Sequence, residues 1–169
     1  MIQFVSDIGH YDLVLNLAAQ ARRALWIGTA DIKDLYVRRG EQALPFLAII
    51  SELIAGGVKV RLIYAKEPGP QFLKDFSLYP LLTECLERML CPRVHFKIVL
   101  IDSVLCYLGS ANFTGAGMGM KSPLHRNFEA GILTDDSSVI ASAEEEFDKV
   151  WRGSECRLCR RKQYCRHEL

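Results

Sequence analysis

The chain has 169 residues, half of them apolar, and a formal net charge of +1. This length is enough for one domain with its own hydrophobic core, without disulfide or metal staples. No stretch approaches the ~20 uncharged apolar residues that a bilayer-spanning helix needs, and the first residues lack the basic and apolar regions of a signal peptide. We therefore expect a soluble, cytoplasmic protein with no transmembrane segment.

The first half of the chain predicts helices that alternate with strands. Apolar residues recur at helical spacing over 11–23 and over 43–55, where Gly56-Gly57 ends the second helix. Short apolar strands are expected after these helices, at 24–30 and 58–64, and a polar loop joins the first strand to the second helix. With right-handed crossovers this order predicts parallel neighbouring strands.

The middle of the chain predicts a third helix over 78–90, followed by a strand. Apolar and polar residues alternate through 94–100, as expected for a strand with two different faces. The Asp102-Ser103 connection to the next strand is so short that the two strands must form an antiparallel hairpin.

The last third predicts a glycine-containing loop over 113–126, a strand over 127–134, and a final helix capped by Asp135 or Asp136. The complete pattern predicts an α/β domain over 1–152, with a mixed, largely parallel sheet and helices on both faces. Residues 153–169 are expected to form a basic, cysteine-rich tail.

Residues 93–112, RVHFKIVLIDSVLCYLGSAN, contain the chain's most informative pattern. His95 and Lys97 alternate with apolar residues of the predicted strand, so both side chains are expected on one face. A histidine nitrogen can attack phosphorus and hold a covalent intermediate, and a lysine ammonium binds non-bridging phosphate oxygens. Ser110 and Asn112 add neutral donors for the same oxygens.

The spacing His-x-Lys-x4-Asp-x6-Gly-Ser-x-Asn resembles the signature of the phospholipase D superfamily. The resemblance implies a phosphodiesterase that works through a phosphohistidine intermediate and needs no divalent metal. It also implies a downstream carboxylate that holds the second ring nitrogen of the nucleophile, for which Asn127-x-Glu129 is the match. The candidate site residues are His95, Lys97, Asp102, Ser110, Asn112 and Glu129.

Not every polar residue of the region is expected to take part in the chemistry. Asp102 belongs to the signature, but it lies in the hairpin turn and is interpreted as structural, because short acceptors there often bond backbone. His10 and His125 lack a signature context and are expected on the surface or in loops.

One copy of the motif supplies only one of the two groups that the reaction needs, a nucleophile and an acid for the leaving oxygen. Members of the resembled superfamily with a single copy pair two chains about a twofold axis. We therefore expect a homodimer in which His95 of each chain faces the other.

The tail contains a second pattern, Cys156-x2-Cys159-x5-Cys165-x-His167. These four residues predict a zinc site in a chain expected to be intracellular. The spacing also resembles the cysteine triplet that holds an iron–sulfur cluster in some RecB-like nucleases, with Cys85, Cys91 or Cys106 as the fourth ligand. A tail without any metal remains the alternative.

Three functions fit these patterns. The first is a nuclease acting on DNA or RNA, favoured by the motif and by a stretch, 151–169, with six basic and two acidic residues. The second is a phospholipase or phosphatidyltransferase, which would need an apolar surface for lipid. The third is a non-catalytic module that binds nucleic acid, which the intact candidate site argues against.

Overall fold

The computed structural model of the protein describes residues 1–33 and 35–165, and the secondary structure within these ranges consists of short strands and five α-helices. The strands are β1 (Ile2–Ser6), β2 (Ala24–Thr29), β3 (Tyr36–Arg39), β4 (Gln42–Pro45), β5 (Lys59–Tyr64), β6 (Glu87–Leu90), β7 (Ile98–Ile101), β8 (Leu105–Gly109) and β9 (Ala130–Thr134). The helices are α1 (Asn16–Ala18, continuing a π-helical segment His10–Leu15), α2 (Phe46–Ala55), α3 (Pro70–Phe76), α4 (Pro80–Cys85) and α5 (Ser137–Trp151). None of these helices is long and apolar enough to cross a membrane.

The central sheet has seven strands in the order β1-β9-β8-β7-β2-β5-β6, and a separate hairpin pairs β3 with β4. The expectation of a largely parallel sheet is wrong. Only the β2-β5 and β5-β6 pairs are parallel, whereas the other four neighbouring pairs are antiparallel. Parallel strands need a crossover connection, and α2 to α4 provide crossovers only between β2, β5 and β6.

Helices cover both faces of the sheet, as the sequence predicts. One face packs its apolar side chains against α1 and α2, and its core includes Leu25, Val99 and Tyr107. The opposite face packs against α5, with Ile98 and Phe147 in a second core. All four residues of β7 are buried because both faces of this strand are covered.

Two predicted elements differ in their boundaries. The helix expected over 11–23 ends at Ala18, and the helix expected over 43–55 begins only at Phe46 because the preceding residues belong to β4. The loop expected before that helix contains the β3-β4 hairpin, whose turn includes Gly40 with a φ of 63°.

The helix expected over 78–90 is wrong in its second half. The chain forms α4 and then β6, which pairs in parallel with β5 at one end of the sheet. The apolar residues Met89 and Leu90 fill buried positions of this short strand.

The β7-β8 hairpin has the predicted antiparallel form, and its turn residues Asp102 and Ser103 both have positive φ. The Asp102 carboxylate accepts hydrogen bonds from the backbone N–H groups of Arg22, Arg23 and Ala24, at 2.6 to 3.1 Å. It therefore fixes the turn to the start of β2, which agrees with a structural role. Partial burial alone would raise the pKa of Asp102, but these backbone donors outweigh burial and hold the pKa below its usual value.

Candidate active site

The candidate site lies at one end of the strands of the central sheet, where β7 and β9 begin and where β2 and β8 end. This arrangement follows from the antiparallel pairing, because the chain leaves this end of the strands along β7 and returns to it along β8. The backbone N–H of Gly109 donates to the Lys97 carbonyl at 3.2 Å, and the N–H of Ser110 donates to the Ala130 carbonyl at 2.9 Å. The segments around Lys97, Gly109 and Ala130, which are distant in sequence, are thus hydrogen-bonded side by side at this end of the strands.

His95 and Lys97 come together as the alternation predicts, although β7 itself begins only at Ile98. The Lys97 ammonium lies 3.4 Å from Nδ1 of His95 and donates to the His95 carbonyl at 2.7 Å. His95 is exposed, whereas Lys97 is only 8% exposed. Burial lowers the pKa of Lys97, and the nearby Glu129 carboxylate partly opposes this effect.

Phe96, between these two residues, anchors the segment on the opposite side. Its ring lies over Gly28 of β2, so closely that a Cβ at residue 28 would lie 2.2 Å from the ring. The ring also packs against Phe147 of α5, with centroids 6.3 Å apart. A glycine at residue 28 therefore allows Phe96 to sit on the sheet while His95 and Lys97 remain at the site.

Glu129 lies next to Ser110 and Asn127. One carboxylate oxygen accepts from the Ser110 hydroxyl, and the other accepts from the Asn127 amide at 3.1 Å. Ser110 in turn accepts from the Ala130 N–H at 3.0 Å. Nδ1 of His95 faces Lys97, and the expectation that Glu129 holds the second ring nitrogen stays a prediction.

Asn112 is oriented by the end of β2. Its amide oxygen accepts from the hydroxyl of Thr29 and from the N–H groups of Ala30 and Asp31, at 3.2 to 3.3 Å. Because the oxygen is held on that side, the amide NH2 is the end left to donate to a substrate. This agrees with the predicted role of Asn112 as a neutral donor.

The buried Tyr107 side chain packs against the backbone of the site. A Cβ at Gly109 or at Gly131 would lie 2.2 to 2.4 Å from the Tyr107 side chain, so both strands need glycine there. The Tyr107 hydroxyl accepts from the N–H of Ala111 at 3.4 Å, between Ser110 and Asn112. Burial raises the pKa of Tyr107 to about 12, and the residue therefore stays neutral at ordinary pH.

His10 is buried, contrary to the expectation of a surface residue. Its ring packs edge-on against Tyr107, with centroids 5.5 Å apart, and Nδ1 lies 3.1 Å from the Asp7 carbonyl. Burial lowers the pKa of His10, which favours the neutral ring. His125 is exposed and lies 2.8 Å from the Ser122 hydroxyl.

Among the signature residues, only Asp102 lies far from this end of the strands. It follows β7, so it lies at the opposite end of that strand, about 15 Å from Lys97 at the usual rise per residue. Its contacts with the start of β2 stabilise the hairpin, and it takes no direct part in the site.

The three tail cysteines of the predicted metal site line one cavity. Cys156, Cys159 and Cys165 are each partly buried there, and His167 lies outside the described residues. Within 1–33 and 35–165, no three or more His, Cys, Asp or Glu side chains are gathered closely enough to hold a metal ion. The predicted zinc or iron–sulfur site therefore stays a prediction.

Comparison with known families identifies the fold. The family model described as "Cardiolipin synthase, PLD-like domain" matches residues 14–151, most of the chain. The chain belongs to this family. The resemblance to the phospholipase D superfamily is confirmed, and residues 14–151 form a phospholipase-D-like domain.

The curated relatives of this phospholipase-D-like domain are much longer than the chain. Cardiolipin synthase 2 of Bacillus cereus is 28% identical over 140 residues, which cover 80% of this chain and 24% of that protein. The chain thus spans about a quarter of the length of the curated relatives it matches.

Two solved structures match over nearly their whole length. NucT from Helicobacter pylori has a TM-score of 0.65 at 18% identity, covering 98% of this chain and 97% of that chain. Nuc from Salmonella typhimurium, a phospholipase D family member, has a TM-score of 0.65 at 14% identity, covering 90% of this chain and 94% of that chain. These likenesses show the fold.

Gly28→Ala tests whether Phe96 positions the catalytic pair. The added methyl must displace the Phe96 ring and with it His95 and Lys97, so we expect phosphodiesterase turnover to fall by about tenfold or more, because catalysis depends on near-ångström placement. The free energy of unfolding should fall by about 1–3 kcal/mol, the usual cost of overpacking.

Gly69→Ala is the matched control, because a Cβ there meets nothing within 4 Å. The double variant Gly28→Ala/Phe96→Leu should recover part of the lost turnover, since the smaller side chain leaves room for the methyl. Wild-type kinetics in Gly28→Ala would show that Phe96 does not position the site.

Proposed function

We propose that this domain is a metal-independent nuclease that cleaves phosphodiesters of DNA or RNA through a phosphohistidine on His95. The observation that carries the proposal is the contact between the Lys97 ammonium and the His95 ring at an end of the strands shared with Ser110, Asn112 and Glu129. An ammonium has three donors, of which one is used on the His95 carbonyl and a second faces Nδ1 of His95. The third can reach a phosphate oxygen.

The reaction would have two steps. A ring nitrogen of His95 attacks phosphorus, the N–P bond forms, the P–O bond to the leaving nucleoside breaks, and that oxygen takes a proton from a second histidine. Water then attacks phosphorus, gives its proton to the second histidine and breaks the N–P bond. Lys97 and the Asn112 amide stabilise the charge on the non-bridging oxygens in both steps.

Basic side chains next to the site support nucleic acid as the substrate. Arg93 is exposed two residues before His95, and it lines a surface cavity together with Arg160 and Arg161 of the tail. Side chains of this charge bind the phosphate backbone regardless of sequence. The fold also matches NucT and the phospholipase D family member Nuc over nearly the whole length of those chains, which supports the same class of reaction.

A lipid phosphodiester is the second candidate substrate. Large apolar side chains of β1, of β9 and just before β9 are exposed, and we call them the edge patch: Ile2, Phe4, Phe128 and Ile132. Phe4 and Ile132 are paired across the two strands, and Phe128 immediately precedes Glu129. An apolar surface beside the site is what a lipid-acting enzyme needs, and the family description names cardiolipin synthase.

The edge patch also supports a homodimer. Exposed apolar patches of this kind commonly mark protein interfaces. An isologous contact through the patch would pair β1 and β9 of two copies, and β9 follows directly on the segment that carries Glu129. Such a dimer would supply His95 of the second chain as the acid, because His10 is buried behind Tyr107 and His125 lies in a loop next to Ser122.

A substrate panel in EDTA tests the reaction and the substrate. We expect the protein to cleave single- or double-stranded DNA or RNA with EDTA present, and to leave phosphatidylcholine vesicles intact, because the proposed groups are all side chains. His95→Ala should reduce cleavage to background while the circular dichroism spectrum stays unchanged. His125→Ala is the matched control and should cleave normally.

Cleavage that stops in EDTA and returns with Mg²⁺, in protein that remains folded, would contradict the mechanism. Hydrolysis of the lipid alone would select the second substrate class. Full activity in His95→Ala would remove the nucleophile from the account.

Subunit mixing tests the dimer. A fixed amount of wild-type protein mixed with excess His95→Ala chains should lose most of its activity per wild-type chain, because each heterodimer has one imidazole where two are needed. The control is the double variant His95→Ala/Phe128→Ser, in which the edge patch is weakened and which should inhibit much less. Unchanged activity at a large excess of His95→Ala would show that one chain is sufficient.

A further inference from the structure

Four of the chain's six cysteines converge on one cavity beside the active site. Cys156, Cys159 and Cys165 come from the tail, and Cys91 comes from the opposite wall. That wall continues through Pro92, Arg93 and Val94 directly to His95. The cavity therefore joins the tail to the segment that carries the proposed nucleophile.

Direct contacts hold the tail against this wall. The Cys165 thiol donates to the Leu90 carbonyl at 3.3 Å, one residue before Cys91. The Arg161 guanidinium donates to the Pro92 carbonyl at 2.9 Å. Cys91 itself is fixed at the end of β6 because its N–H donates to the Tyr64 carbonyl at 2.9 Å.

The four thiols line the same cavity but are not gathered closely enough to hold an ion without a shift of the tail. The Cys159 sulfur accepts from the N–H of Arg161 at 3.4 Å, a contact that stabilises a thiolate. Four cysteines around one cavity, two of them in a Cys-x2-Cys turn, nevertheless have the chemistry of the ligand set of a structural zinc site.

The remaining cysteines do not belong to this group. Cys106 is completely buried in the core under α5, and Cys85 is exposed on α4 and does not line the cavity. Of the three upstream cysteines considered from the sequence, only Cys91 faces the tail.

We propose that Cys91, Cys156, Cys159 and Cys165 bind one Zn²⁺ as four thiolates, with Cys91 in place of His167 as the fourth ligand. The ion would close the two short turns of the tail around the thiols, as expected when metal binding and local folding are coupled. Arg93, Arg161 and Lys162 also line the cavity and offset the negative charge of four thiolates around a divalent ion.

The position of this site assigns it a function that rests on the proposed nuclease activity. Zinc would clamp the tail, with Arg157, Arg160 and Arg161, next to Arg93 and His95. The clamped side chains would extend the phosphate-binding surface without touching the reacting atoms. Loss of the ion should therefore raise KM for nucleic acid about tenfold, in proportion to lost phosphate contacts, and change kcat little.

Metal content of purified protein tests the ligand set independently of activity. We expect about one zinc per chain in the wild type, in Cys85→Ser and in His167→Ala, because one tetrahedral four-thiolate site binds one ion. Cys91→Ser should lose the zinc and melt at a lower temperature, yet cleave at nearly normal kcat with a raised KM.

Wild-type zinc in Cys91→Ser, or loss of zinc in His167→Ala, would overturn the assignment of Cys91. Iron and sulfide with a visible absorption band would overturn zinc in favour of a cluster. Metal-free protein with four free thiols, or with disulfides among them, would overturn the site. If zinc binds through Cys91 but no nucleic acid is cleaved, the metal site stands and the proposed nuclease activity fails.

Discussion

The site depends on the tight antiparallel pairing of β7 and β8. A four-residue strand and a three-residue turn return the chain to the end of the sheet that it has just left, so Gly109 must lie beside Lys97. The Asp102 carboxylate fixes the far end of this hairpin to the start of β2. At the near end, β8 ends at Gly109 and the chain continues directly into Ser110 and Asn112. Signature residues separated in sequence thus become neighbours because the hairpin is short and firmly held.

The support around this end of the sheet comes mainly from aromatic rings that lie over glycines. Phe96 on Gly28 and Tyr107 on Gly109 and Gly131 fill space that any larger residue would occupy. The buried Tyr107 ring and the partly buried Phe96 ring fix the backbone on either side of the candidate site. Such support matters because the groups of a functional site must be held in place before the substrate arrives. The exposed imidazole of His95 can then meet the substrate while the nearly buried ammonium of Lys97 keeps its position.

The sequence was sufficient to predict the parts of the site that depend on local spacing. Alternation around Phe96 placed His95 and Lys97 together, and the short turn at Asp102 implied the hairpin. The contact of Glu129 with Ser110 was not predictable, because it depends on how β9 pairs with β8. The sequence predicts too parallel a sheet because its local patterns show neither that β1 is a strand nor that β7 pairs antiparallel with β2. A four-residue strand such as Glu87–Leu90 has too few residues for alternation to be distinguished from a helix turn.

The central claim is that His95 forms a covalent bond to phosphorus, and the stereochemistry of the reaction at phosphorus tests it most directly. A dinucleotide with a chiral phosphorothioate linkage would be cleaved in ¹⁸O-labelled water, and the configuration of the product determined. Two successive in-line displacements each invert phosphorus, so the account predicts net retention of configuration. Net inversion would mean that water attacks phosphorus directly, and would contradict the phosphohistidine on His95.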